Sequence, residues 1–166
     1  MIRQAIVDDA EGIAQVHVRS WQGAYVGVVP DDYLQSLSVE ARAERWREGL
    51  SRSTEGVYVS EENGRIIGFI AFGLSRDEDA DGAGEIFAVY VHPDAWGKGN
   101  GRQLMQIAET KLWQQEVPRI TLWVLEGNES TRRFYEKGDY SFDGTKNQMT
   151  IGGKSLMGLR YVKHEP

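Results

Sequence analysis

Apolar positions change their spacing several times along the chain, and each change marks an element. Residues 2–6 predict an opening strand. Ile13, Val16 and His17 then fall on one side of a helix that Asp8 or Asp9 can cap and that runs to about Trp21. Pro30-Asp31-Asp32 starts a short helical piece, and Ser38 can cap a second helix over 39–50. Residues 57–60 and 66–74 predict paired strands, because Asn63-Gly64 between them is the strongest short hairpin signal. An acidic, glycine-containing loop covers 75–84 and a strand covers 85–91. A third helix carries Leu104, Met105, Ile107, Ala108 and Leu112, and a strand over 119–125 follows Pro118. Residues 130–137 predict a fourth helix, and two final strands flank the Gly152-Gly153 turn. The order is mixed α/β with no internal repeat, low-complexity tract or linker, so one domain is expected over 1–166.

Composition narrows the class. The 166 residues are 40% hydrophobic and 27% charged, enough to bury a substantial core. No apolar run is long enough to span a bilayer, and Met1–Asp9 turns acidic before a signal-peptide core could form, so a cytoplasmic protein without a membrane partner is expected. The absence of cysteine excludes disulfides, thiolate metal sites and a cysteine nucleophile, which makes any acyl transfer more naturally direct than through a cysteinyl enzyme. A net charge of −6 argues against a nucleic-acid partner, which needs a basic face. His17, His92 and His164 are scattered outside any metal-binding spacing, so no metal is expected.

The chemistry concentrates in Val91-His92-Pro93-Asp94-Ala95-Trp96-Gly97-Lys98-Gly99-Asn100-Gly101-Arg102: a strand end, a proline stop and a glycine-rich turn opening a helix. Alternating glycines let the main chain approach a ligand and adopt positive φ, and the helix aims its unpaired N–H groups at the same point. A pyrophosphate held by main chain is the local expectation, against a ligand-free turn. A P-loop would need Ser or Thr after Lys98, and a dinucleotide fingerprint would need G-x-G-x-x-G, so the spacing fits neither. Just upstream, period two puts Glu85, Phe87, Val89 and Val91 on one face, a carboxylate in an apolar stripe. Partial desolvation there would raise its pKa toward that of a general base, whereas a loop-end carboxylate beside Asp77, Glu78, Asp79 and Asp81 would face solvent.

The run V-x-P-x-x-W-G-K-G-x-G-R, followed by Leu-Met on a helix, is similar to the acyl-CoA pyrophosphate motif of the GNAT superfamily of N-acetyltransferases, Gln/Arg-x-x-Gly-x-Gly/Ala. Trp96 departs from it by standing in the Gln/Arg slot. Asn128-Glu129-Ser130-Thr131-Arg132-Arg133-Phe134-Tyr135-Glu136-Lys137 resembles the second family signature, and Ile2-Arg3-Gln4-Ala5 with Asp8, Asp9 and Ala10 resembles the usual start of these domains. The resemblance implies a mixed, mostly antiparallel twisted sheet of about seven strands flanked by about four helices. It implies acetyl-CoA as co-substrate, with transfer to a primary amine of a small molecule or peptide.

Carried over residue by residue, the resemblance assigns the pyrophosphate to Trp96, Gly97, Lys98, Gly99, Asn100, Gly101 and Arg102. The segment Val89, Tyr90 and Val91 would pair with pantetheine amides, and Asn128 would hold pantetheine or neighbouring backbone. Glu85, eleven residues before the Trp96 slot, stands where the family often has its base, and Tyr135 where it often has its acid. Trp21 and Tyr25, with Tyr33, lie where an acceptor pocket is usual, and the acidic loop 77–81 can attract a cationic amine. Met149, Ile151, Leu156 and Leu159 around the Gly-Gly turn can supply a dimer edge. A non-catalytic acyl-CoA sensor, or a nucleotide-binding domain, remains open beside the enzyme.

Overall fold

A computed structural model describes residues 1–166. Local rules set several elements. Ser38 Oγ accepts the Ala41 N–H and starts the second long helix. Asn63 and Gly64, at φ 52° and 76°, make the left-handed pair that a two-residue hairpin requires. The opening helix departs from expectation at its cap. The Asp9 carboxylate takes the Ile6 N–H at 2.8 Å and a two-pronged ion pair from Arg3, so it ties the chain entry to the first strand rather than capping the helix.

The elements run β1 (Ile2–Gln4), α1 (Ala10–Ala24), α2 (Asp31–Ser36), α3 (Val39–Arg52), β2 (Val57–Glu62), β3 (Arg65–Leu74), β4 (Gly84–Val91), α4 (Asn100–Gln114), β5 (Arg119–Leu125), α5 (Glu129–Lys137), β6 (Ser141–Ile151) and β7 (Lys154–His164). One seven-stranded sheet has the order β1-β2-β3-β4-β5-β7-β6. Every neighbouring pair is antiparallel except β4 with β5. No helix is long and apolar enough to cross a membrane.

Helices cover both sheet faces. On one, Ile86, Ile120, Leu122 and Tyr161 pack with Leu104, Ala108 and Leu112 of α4. Leu104 and Leu112 are both 0% exposed, and each contributes about 1.5–3 kcal/mol by burial. On the other, Ile13 and Val16 of α1 and Leu50 of α3 pack on Val59 and Phe69. A third cluster, with Val29, Leu34 and Leu125 at its centre, takes in Met149, Ile151 and Leu156, while Leu159 belongs to the α4 side. Of the apolar side chains expected at a dimer edge, Leu159 is buried, and Met149, Ile151 and Leu156 are half-buried against this cluster. β6 is the edge strand at this end of the sheet, and its residues are mostly exposed.

One irregularity in the sheet shapes the site. In the β3–β4 ladder Ala71 pairs with Ala88 but Phe72 pairs with Ile86, so Phe87 is an extra residue, a β-bulge. The bulge corrects the expected face pattern. Ile86, Val89 and Val91 pack on the α4 side, Ala88 and Tyr90 on the α1 side, and Glu85 with Phe87 shares that second face rather than the face of Val89 and Val91. β4 also pairs with β5 only over Gly84–Ile86. Past that point the strands part, and the sheet is split.

Candidate active site

The split holds a cavity of about 850 Å³ that passes from one face of the sheet to the other. Its α4 side is walled by Val89, Val91, Val124, Phe134 and Tyr135 and ends at the glycine loop. Its α1 side is walled by Trp21, Tyr25, Phe87, Tyr90, Trp123 and Leu125, with Met149 and Ile151 of β6 beyond them.

Main chain dominates the first end. Gly97 and Gly99 hold φ of 74° and 84°, conformations in which a side chain is strained, and α4 starts directly afterwards with its first-turn N–H groups at the cavity. A Cβ on Gly101 would sit 3.3 Å from the Phe134 ring, so the third glycine serves close packing of α4 on α5. Arg102 lines the cavity with its guanidinium 5.7 Å from the Phe134 centroid, whereas Lys98 is exposed and outside the lining, leaving only its backbone in the loop. The His92 N–H bonds to Ile67 O on β3, so by antiparallel alternation the Val89 and Val91 groups face the split. Trp96, which also lines the cavity, has protein partners of its own. Its Nε1 donates to Val91 O at 2.7 Å and its ring lies against Gly23 of α1, so it fastens the loop to the end of β4.

Hydroxyls gather at the middle. Tyr25 and Tyr90 oxygens are 3.5 Å apart, and the Tyr25 hydroxyl also faces Tyr135 and the Asn128 side chain. Burial pushes all three tyrosines above the ordinary phenol value, so they are protonated at neutral pH. Asn128 is 4% exposed and its Oδ1 accepts the Thr131 N–H, capping α5, while the same side chain borders the cavity. Trp21 Nε1 is buried near the Tyr90 hydroxyl without a partner of hydrogen-bonding geometry. Behind Tyr90, His17 stacks at 5.2 Å and accepts from Trp46 Nε1 through Nδ1, and burial with the Arg42 charge lowers its pKa to about 4.

Glu85 stands apart. It is buried, accepts Ser75 Oγ at 2.9 Å and lies one residue outside the lined segment that begins at Ile86. Burial raises its pKa, the Asp77 charge adds to that, and the Ser75 hydrogen bond opposes it. The acidic loop is not freely solvated: Arg160, its side chain 10% exposed, binds Asp79 through two hydrogen bonds and also pairs with Asp77 and Asp143. Trp123 Nε1 donates to Asp77 at 3.3 Å, joining this network to the cavity wall. Sequence reasoning missed Arg160, Trp123 and the wall from β6. An arginine inside the apolar run Leu156-Met157-Gly158-Leu159-Arg160-Tyr161-Val162 was the available signal.

Comparisons with known proteins give a family for the chain and a match to its fold. A model of the acetyltransferase (GNAT) family matches residues 16–139. The chain is 36% identical over 130 residues to the uncharacterized N-acetyltransferase YuaI of Bacillus subtilis, covering 78% of this chain and 73% of the relative. It is 30% identical over 141 residues to an uncharacterized N-acetyltransferase of Archaeoglobus fulgidus, covering 83% and 90%. Among solved structures, the PaiA N-acetyltransferase of Thermoplasma acidophilum in complex with coenzyme A superposes with a TM-score of 0.80 at 21% identity, over 99% of this chain and 98% of that one. YncA of Salmonella typhimurium, with its cofactor acetyl-CoA, superposes with a TM-score of 0.72 at 20% identity, over 99% and 92%.

Proposed function

The chain belongs to the GNAT family of acetyltransferases, and from that premise we propose that it transfers the acetyl group of acetyl-CoA directly to a primary amine of a small molecule or peptide. The observation that carries this reading is the split between β4 and β5, which joins an anion cradle on one side to an aromatic chamber on the other.

The residues present fit the donor. Gly97 to Arg102 offer N–H groups, a helix N-terminus and one guanidinium to a pyrophosphate. The main-chain groups of Val89 and the Val91 N–H, with Val91 O taken by Trp96, suit the amides of pantetheine, as an added strand would. Asn128 and Phe134 line its path, and Trp96 keeps the β4 end in place rather than meeting the phosphates. Bound there, acetyl-CoA supplies a reactive thioester, whose carbonyl oxygen a β4 N–H can polarise.

Two side chains move protons. Glu85 takes the ammonium proton of the acceptor through a water, since its carboxylate lies just outside the lining, and its raised pKa makes it a better base than an ordinary glutamate. Tyr135, protonated and on the cavity wall, donates to the departing sulfur. Thiol release from acetyl-CoA in the presence of amines tests the assignment. Glu85→Gln and Tyr135→Phe are expected to keep acetyl-CoA stabilisation while kcat falls by roughly 100-fold each. Unchanged rates in both remove the two roles, and stabilisation by ATP or NAD in place of acetyl-CoA removes the donor reading.

A further inference from the structure

The acceptor half of the cavity is chemically one-sided. Trp21, Tyr25, Phe87, Tyr90 and Trp123 present aromatic surface, and no aspartate or glutamate lines any part of the cavity. Arg102, at the opposite end by the glycine loop, is the one charged lining side chain. Of the acidic groups beside it, Asp77 and Asp79 pair with Arg160, and Glu85, held by Ser75, is committed to the one reacting amine. At the mouth, Phe87 is 38% exposed and the Arg76 guanidinium lies 4.6 Å from its ring centroid. A second or third ammonium on an acceptor would therefore meet no counter-ion inside and a cation at the rim, and burying it unpaired is costly. A single ammonium fares differently. Aromatic faces attract one cation, and the Tyr25 and Tyr90 hydroxyl oxygens can accept from it at the floor.

We infer that the acceptor is a small monoamine carried on an apolar, aromatic body, and not a polyamine, an aminoglycoside or another polycation. The inference rests on the acetyltransfer reading above and specifies its second substrate. The aromatic body stacks against Trp21, Phe87 and Trp123 while its amine points through the split toward the donor.

The test measures thiol release by the full chain from acetyl-CoA with phenethylamine and tryptamine against spermidine and kanamycin at equal concentration. The aromatic monoamines are expected to show kcat/KM at least about 10-fold higher, the size of a modest difference in transition-state contacts. Met149→Glu, which places a carboxylate on the β6 wall of the chamber, is expected to narrow or reverse that ratio while acetyl-CoA still raises the melting temperature. Preference of the unmodified chain for spermidine or kanamycin overturns the acceptor class and leaves the acetyltransferase intact. No release with any amine, despite stabilisation by acetyl-CoA, overturns both readings. An unchanged ratio in a folded, acetyl-CoA-binding Met149→Glu variant also overturns the acceptor assignment.

Discussion

Gly99 offers a sharp test of the main-chain cradle, because the structure supplies its own control. Gly99 sits at φ 84° and Gly64 at φ 76°, and in both an added Cβ would meet nothing within 4 Å. The cost of alanine at either site is thus conformational, roughly 1–2 kcal/mol for placing an L-residue in the left-handed region. For a chain of this length that lowers the melting temperature by about 2–8 °C, nearly equally in the two variants. Their functions separate, because Gly64 is at a hairpin tip and Gly99 caps α4 at the cavity. If Gly99→Ala relieves strain by swinging the loop, one charge-assisted hydrogen bond to the pyrophosphate is lost, worth about 1.5–3 kcal/mol. That corresponds to an acetyl-CoA Kd roughly 10- to 150-fold weaker. Calorimetric titration of acetyl-CoA into both variants reads the difference directly. Equal affinities in Gly99→Ala and Gly64→Ala, at equal loss of stability, would refute a cradle built from this loop.

Three further outcomes follow from the titratable and paired groups. The acid limb of the kcat/KM profile is expected above the ordinary glutamate range, since burial raises Glu85 and the base must be ionised; activity falls as pH drops through that value. A limb that survives in the residual activity of Glu85→Gln assigns the base elsewhere. Arg160→Met takes the cationic partner from the Asp77 and Asp143 carboxylates, which are 23% and 18% exposed, and should cost about 2–3 kcal/mol, read as a fall of roughly 4–12 °C in melting temperature, whereas the exposed Asp79→Asn should cost little. His17 has a folded pKa of about 4 against an ordinary 6.5, so the unfolded chain binds the extra proton first, and stability declines as pH falls across that window by roughly 3 kcal/mol in total. Denaturant midpoints between pH 7 and 4 should lose that component of the slope in His17→Phe; an unaltered slope would place the proton uptake elsewhere.

What the sequence disclosed was governed by local rules. Asn63-Gly64, Ser38 and the left-handed Gly97 and Gly99 each act within a few residues, so their structures could be read without knowing the rest of the chain, whereas Gly101 answers to Phe134 on α5. The face of Glu85 could not be read that way. Ile86-Phe87-Ala88-Val89 contains no turn residue, and only the ladder with β3 shows that Phe87 is extra. Trp96 was opaque for the same reason, because its indole is explained by Val91 O and by Gly23, a position more than seventy residues upstream. The acidic loop looked solvated because Arg160 lies about eighty residues downstream of Asp77 and Asp79, inside an otherwise apolar strand. Residue types predicted the chemistry of the site, but long-range pairing decided which residues line it.

The bulge at Phe87 is where fold and function meet. An unbulged β4 would keep Glu85 on the face of Val89 and Val91, and the bulge falls where β4 parts from β5, just after Ile86. The extra residue sends Phe87, Ala88 and Tyr90 to the α1 side, where the aromatic chamber is, and Val89 and Val91 to the α4 side, where the glycine loop ends. It also frees the main-chain groups of the same segment from a strand partner. Gly73 makes room for this arrangement: a Cβ there would come within 3.2 Å of the Phe87 ring. Donor and acceptor can therefore approach from opposite faces of one sheet and meet in a gap lined by β4. The base and acid proposed for the reaction, Glu85 on the α1 face and Tyr135 on the α4 side, divide along the same line.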